Sequence, residues 1–98
     1  MSLIWTPVWT HQAALDRKEI RDHIAQSNPA VALTLDEMFS EKASLLIGHP
    51  HLGRLGRVKG TRELVVHQNY ILIYDLTGDM VRILRILHAA RQWPPVRE

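Results

Sequence analysis

The sequence predicts an α+β domain: a short opening strand, a helical hairpin, then an antiparallel meander (β-α-α-β-β-β), with both helices on one face of about four strands. Three observations predict it. Apolar residues recur at helical spacing until about position 47. A breaker-rich stretch follows from His49 to Gly56. Beyond it come β-branched and aromatic runs separated by tight-turn residues. At 98 residues the chain has room for one core, so a single domain over 1–98 is expected.

Leu3, Ile4 and Trp5 suit an opening strand. Thr6 and Pro7 suit a helix cap and first helical position, where the missing proline N–H costs nothing. Trp9, Ala13, Ile20 and Ile24 then form an apolar stripe, and the helix should run from Val8 to Gln26 with Asp16 and its charged neighbours on other faces. Asn28 caps a second helix that begins at Pro29 and carries Val31, Leu35, Met38, Phe39, Leu45 and Leu46 inward. Gly48 stands where a left-handed C-cap belongs. So short a link implies antiparallel helices.

After the 49–56 loop, strand character falls at Arg57 and Val58, Arg62 to Val66, Tyr70 to Leu76 and Met80 to His88. Lys59-Gly60, Gln68-Asn69 and Thr77-Gly78-Asp79 supply the turns. Tyr70–Tyr74 and Ile83–Leu87 are apolar at both parities, so both sheet faces must be covered. The helices cover one; the C-terminal tail, a partner, or both must cover the other. Pro94 and Pro95 make the tail irregular, with Trp93 as its anchor against the protein or its partner.

Hydrophobic residues at 46% and charged residues at 22% exclude a disordered or collagen-like chain. The absence of cysteine excludes disulfides, thiolate zinc sites and a cysteine nucleophile. No apolar run approaches a membrane span, and the first residues lack a basic, apolar leader, so a cytoplasmic protein without membrane contact is expected. Charge is uneven: residues 1–47 hold four Lys and Arg against six Asp and Glu, residues 48–98 eight against four. A basic second half suits a polyanion or an acidic protein partner.

Around the predicted sheet gather Arg54, Arg57, Lys59, Arg62, His67, Arg82, Arg85, His88 and Arg91. Arg85 lies within an apolar strand, where an unpaired guanidinium is costly. It should pair with Glu63 or Asp75, or face a groove open to ligand. Arg82 and Arg91 are expected in solvent unless the tail folds back. His49 and His51 lack further ligands at a characteristic spacing, so no metal site is expected. No nucleophile motif or phosphate loop is present. General acid–base cleavage of RNA needs neither metal nor cofactor: His67 or His88 would carry protons while Arg62 or Arg85 stabilised a phosphorane-like transition state.

Two stretches carry a family resemblance. The first runs from Arg57 to Tyr74, with the pattern G-x-R-E-[IL]-V…Y-I-[IL]-x-Y; the second, Ile86 to Pro94, has [IV]-[IL]-H-A-x-R-Q-[FW]-P. With the element order, they make nearly the whole chain resemble the RelE/ParE superfamily of toxins from bacterial type II toxin–antitoxin modules, nearest its ParE branch. The resemblance implies a growth-inhibiting toxin neutralised by a cognate antitoxin that is acidic, amphipathic and folds on binding. ParE-like members are known as inhibitors of DNA gyrase; RelE-like members are ribosome-dependent mRNA endonucleases with a basic cluster on the sheet. Ile71 stands where the RelE pattern has an arginine, which favours gyrase. Arg62 and Arg91 lie near RelE-like cationic positions. His88, ahead of Ala89 and Ala90, matches a histidine-using RNase subgroup, with His49 or His51 matching its loop histidine; these favour ribosome and mRNA.

Under the nuclease reading Arg62, Arg85, His88 and Arg91 are catalytic. Target or nucleic-acid contact falls to Arg54, Arg57, Lys59, His67, Arg82, Gln92 and Trp93. A non-toxic co-repressor that only binds antitoxin is the third class.

Overall fold

The computed structural model describes residues 6–67 and 69–89. Its elements are β1 (Val8–Trp9), α1 (His11–Ala25), α2 (Pro29–Gly48), β2 (Arg54–Leu55), β3 (Thr61–His67), β4 (Tyr70–Thr77) and β5 (Met80–His88). The α+β order is the expected one. The described strands form one five-stranded sheet in the order β1-β5-β4-β3-β2. The meander is antiparallel throughout, whereas β1 joins β5 in parallel, Val8 opposite Arg82 and Trp9 opposite Ile83.

Several boundaries differ from expectation. The proposed strand at Leu3–Trp5 lies outside the described residues. Val8 and Trp9, expected in the first helical turn, pair with β5 instead. The cap of α1 is accordingly Thr10, not Thr6. Its N–H donates to the Ile83 carbonyl (3.0 Å), and its Oγ1 donates to the Leu84 carbonyl (3.1 Å) while accepting the Ala13 N–H (3.2 Å). One threonine thus finishes a strand and opens a helix.

Asn28 caps α2 as expected, its Oδ1 accepting the Val31 N–H at 3.1 Å, with Pro29 in the first turn. Gly48 does not take the left-handed conformation; it stays within α2, and His49 caps the helix with its N–H on the Leu45 carbonyl. Positive φ falls instead at Gly60 (86°) and Gly78 (59°), in the β2–β3 and β4–β5 turns. Arg57 and Val58 are not a strand. The pairing belongs to Arg54 and Leu55, opposite Glu63 and Arg62, at the far edge of the sheet.

The main core lies between the helices and the sheet: Ala13, Leu35, Phe39, Ala43 and Leu46 against Val66, Leu72, Tyr74, Val81, Ile83 and Ile86. Val31 and Leu45, expected inward, are half-exposed; Ala32 and Ala43 take the buried positions of α2. On the opposite, outer face a second small core forms from Ile71, Ile73 and Leu87 with Leu84 against it. Both faces of β4 and β5 are therefore buried, as the two-sided apolar pattern requires.

Candidate functional site

The predicted residues divide between two ends of the sheet. At one end, the Tyr74 hydroxyl donates to the Pro50 carbonyl (2.8 Å) and accepts the Gly53 N–H (2.9 Å). Arg62, opposite Tyr74 in the register, donates from Nη1 to the Gly53 carbonyl at 2.8 Å. Its guanidinium therefore helps fix the loop that leads into β2. A side chain at Gly53 would stand 2.8 Å from both the Glu63 carbonyl oxygen and the Tyr74 hydroxyl, which is why glycine is required there.

Beside that loop the Glu63 carboxylate is almost wholly buried. It accepts from Arg54 Nη2 at 3.0 Å and from the Arg57 N–H at 3.1 Å, with Arg57 Nε at 3.7 Å. Arg54 and Arg57 keep about half or more of their side-chain surface in solvent, and Lys59 is exposed nearby in sequence. One buried carboxylate thus organises a basic patch on the β2–β3 connection. Arg82 keeps 41% of its side-chain surface in solvent and also makes two hydrogen bonds to Asp75 (2.9 and 2.6 Å). Those bonds raise the guanidinium pKa further above its ordinary value.

Arg85 is the largest correction. Its partner is neither Glu63 nor Asp75 but Asp16 of α1, met at 2.7 and 3.2 Å. Asp16 also accepts the backbone N–H of Ile86 at 3.0 Å and is 5% exposed. β1 pairs with β5 only as far as Ile83, and beyond it a carboxylate from the helix takes the place of a neighbouring strand. Sequence reasoning put Asp16 on an outward face. The signal was there: 13, 16, 20 and 24 follow helical spacing, so Asp16 stands inside the apolar stripe.

His88 lies at the other end, opposite Tyr70. The Tyr70 ring meets His88 edge-on at 5.3 Å and Phe39 edge-on at 5.7 Å, linking the imidazole to the main core. The Ala89 N–H donates to the Asn69 carbonyl (2.7 Å) and extends the ladder past His88. Two recesses share His23 and Tyr70. One, of about 420 Å³, is lined by Asp16, Glu19, Ile20, Ile86 and His88. The other, of about 540 Å³, is mainly apolar, with Ile24, Val31, Leu35 and Met38 facing His67 and Asn69. His23 was not singled out from sequence, because a lone histidine in a last helical turn has nothing to distinguish it. Arg91, Gln92 and Trp93 lie outside the described residues.

Arg62 and His88 are therefore not neighbours. Their β4 partners, Tyr74 and Tyr70, are four residues apart, about 14 Å along the strand. Among the described residues no group of three or more His, Cys, Asp or Glu is placed to hold a metal. No described helix is long and apolar enough to cross a membrane.

Residues 8–93 match the family of ParE toxins of the type II toxin–antitoxin system parDE. The chain belongs to this family. It is 39% identical over 84 residues to toxin RelE2 of Caulobacter vibrioides, spanning 86% of this chain and 94% of that one. Its fold is similar to a chain of the chromosomal ParDE toxin–antitoxin system from P. aeruginosa, with a TM-score of 0.76 and 27% identity, over 89% of this chain and 98% of that one. It is a RelE/ParE superfamily toxin of the type II toxin–antitoxin class.

Proposed function

We propose that this ParE-family chain acts as a growth-inhibiting toxin by contacting a protein target, in the manner of ParE-like inhibitors of DNA gyrase, and is neutralised by an acidic, amphipathic antitoxin. The observation that carries the reading is the separation of the would-be catalytic groups. Arg62 is engaged with the Gly53 carbonyl, and Arg85 with Asp16. The carboxylates that line the recess beside His88 are Asp16, already paired with Arg85, and Glu19, whose charge opposes a phosphate backbone. A nuclease needs the opposite: a proton carrier surrounded by cations poised for the charge that develops on phosphorus.

Inhibition by contact asks only for surface. The basic patch of Arg54, Arg57 and Lys59, the exposed His67 and the tail residues Arg91, Gln92 and Trp93 supply charged and aromatic groups of the kind that anchor interfaces. The apolar recess and the basic patch together suit an antitoxin segment that orders on binding. Either target places action in the cytoplasm.

The likeness to a toxin named RelE2, together with the His88-Ala89-Ala90 sequence, favours a second reading, ribosome-dependent mRNA cleavage. One comparison separates the two. Purified toxin is assayed for supercoiling by gyrase and for mRNA cleavage on translating ribosomes. The expected result is accumulated gyrase–DNA cleavage complexes with intact mRNA; A-site cleavage with normal supercoiling would overturn it. A chain that affects neither and does not arrest growth would be the non-toxic co-repressor.

A further inference from the structure

One histidine reaches the apolar recess through an irregularity in β3. Strict alternation would place His67 with Glu63 and Val65, which stand opposite Ile73 and Ile71 on the outer face of the sheet. The register shifts between Val65 and His67, so Val66 is the extra residue and His67 stands opposite Tyr70. The Tyr70 ring lies against Phe39 in the main core. His67 therefore turns to the helix side, where His23 of the last turn of α1 lines the same recess. Both histidines are exposed.

Between them the recess is apolar. Its volume, about 540 Å³, lies within the range of about 300–1,000 Å³ usual for ligand recesses. Ile24, Leu35 and Met38 form its walls, and among the described residues no Asp, Glu, Lys or Arg lines it. From α2 come Ala30, Val31 and Thr34, none of which titrates, and from β4 comes Tyr70. In the adjoining recess His23 also meets Glu19, His88 and Asp16, the last already paired with Arg85. Apart from Glu19, the mouth gains its charge from imidazoles, which ordinarily take up protons near about pH 6.5. Such a cavity recognises an apolar group that carries an anion beside it.

We propose that the antitoxin's acidic, amphipathic segment docks here, with an apolar side chain in the recess and a carboxylate between His23 and His67, and that its affinity is coupled to proton uptake by the two imidazoles. This rests on the antitoxin reading above and is independent of the toxin's target. A carboxylate beside an imidazole favours the charged form, so docking and protonation strengthen each other. Affinity is then highest under mildly acidic conditions and is lost as the imidazoles give up their protons. A coupling of about one pKa unit for each imidazole makes the dissociation constant about fivefold lower at pH 6 than at pH 8.

The test titrates the purified full-length chain with anilinonaphthalene sulfonate, an apolar body bearing one anion. Binding should tighten several-fold from pH 8 to pH 6, over which near-ultraviolet circular dichroism checks that the fold has not loosened. The double variant His23→Gln, His67→Gln should lose that gain. Ala30→Trp, at an exposed position of the mouth, should block the dye at both pH values, and Lys59→Gln on the β2–β3 connection should change nothing. Should Ala30→Trp fail to fold, Val31→Asp replaces it: a carboxylate in the first turn of α2 suits the helix and repels the dye. The module's antitoxin, added to dye-loaded toxin, should displace the dye and show the same histidine-dependent pH profile. Dye binding that ignores the mouth substitution, or a gain at pH 6 that survives the double variant, would overturn the proposal. So would an antitoxin complex that leaves the dye in place. A chain that binds the dye as expected but forms no antitoxin complex at either pH would overturn the antitoxin reading, and this proposal with it.

Discussion

Asp16 does three things at once. It neutralises Arg85, satisfies the Ile86 N–H and ties α1 to the edge of the sheet. Replacing it by alanine leaves a guanidinium and a backbone donor without this acceptor, so Asp16→Ala should cost about 2–4 kcal/mol. Urea unfolding monitored by circular dichroism reads this directly. In a double-mutant cycle, Arg85→Ala should recover part of the loss, because removing both partners leaves no buried charge behind. Equal, additive losses would mean that the two side chains do not depend on each other. Tyr74 offers a second test. Its hydroxyl bridges Pro50 and Gly53, so Tyr74→Phe should cost about 1–3 kcal/mol through the unsatisfied Gly53 N–H. Gly53→Ala should cost at least as much, since its Cβ would press on backbone that cannot yield. Both variants unfolding at the wild-type urea midpoint would show that the loop is held by other contacts.

At the scale of elements, α1 separates ion pairs that matter from those that do not. Lys18 and Asp22 pair at 2.7 Å on its exposed face, and the Lys18 hydrogen bond holds the Asp22 carboxyl below its ordinary range. A depressed folded-state pKa contributes stability above the unfolded value, lost as pH falls through the folded one. Solvent screens this pair, so Asp22→Asn should leave the thermal midpoint at pH 7 unchanged within error and flatten only a slight decline below pH 4. A drop of several degrees at pH 7 would show that the pair holds the helix. Elements were also where the sequence spoke most clearly and where it failed. The meander was legible because strand parity and turn residues agree at Gly60 and Gly78. The apolar pattern entering α1 is compatible with helix or strand at Val8 and Trp9; pairing with β5, some seventy residues away, decides it. Nothing local marks Ala32 and Ala43, since alanine carries little periodic signal, though both are buried in α2. The candidate site was half legible. The sequence displays the residue types, but their partners come from distant elements, and no local pattern announces that Arg85 belongs to Asp16.

For the molecule as a whole, stability and toxicity should come apart on mutation in a way that depends on the mechanism. Arg62 and Arg85 hold the fold together, so their replacement weakens the toxin under either mechanism and discriminates nothing. His88 is exposed at the end of β5, and its ring contact with Tyr70 is worth about 0.5–1.5 kcal/mol. That is a small part of the 5–15 kcal/mol expected of a domain. His88→Ala should therefore fold and bind antitoxin. If the chain inhibits gyrase by contact, the variant should still arrest growth when expressed without antitoxin, and gyrase inhibition should fall by less than about tenfold, the equivalent of ~1.4 kcal/mol. A proton carrier in an RNase would behave otherwise: its loss costs about a hundredfold or more in rate, and growth would resume. The variant's circular dichroism and thermal midpoint must match the wild type for either outcome to count. A folded His88→Ala chain that no longer arrests growth, and no longer cuts mRNA that the wild type cuts, would reverse the proposed target.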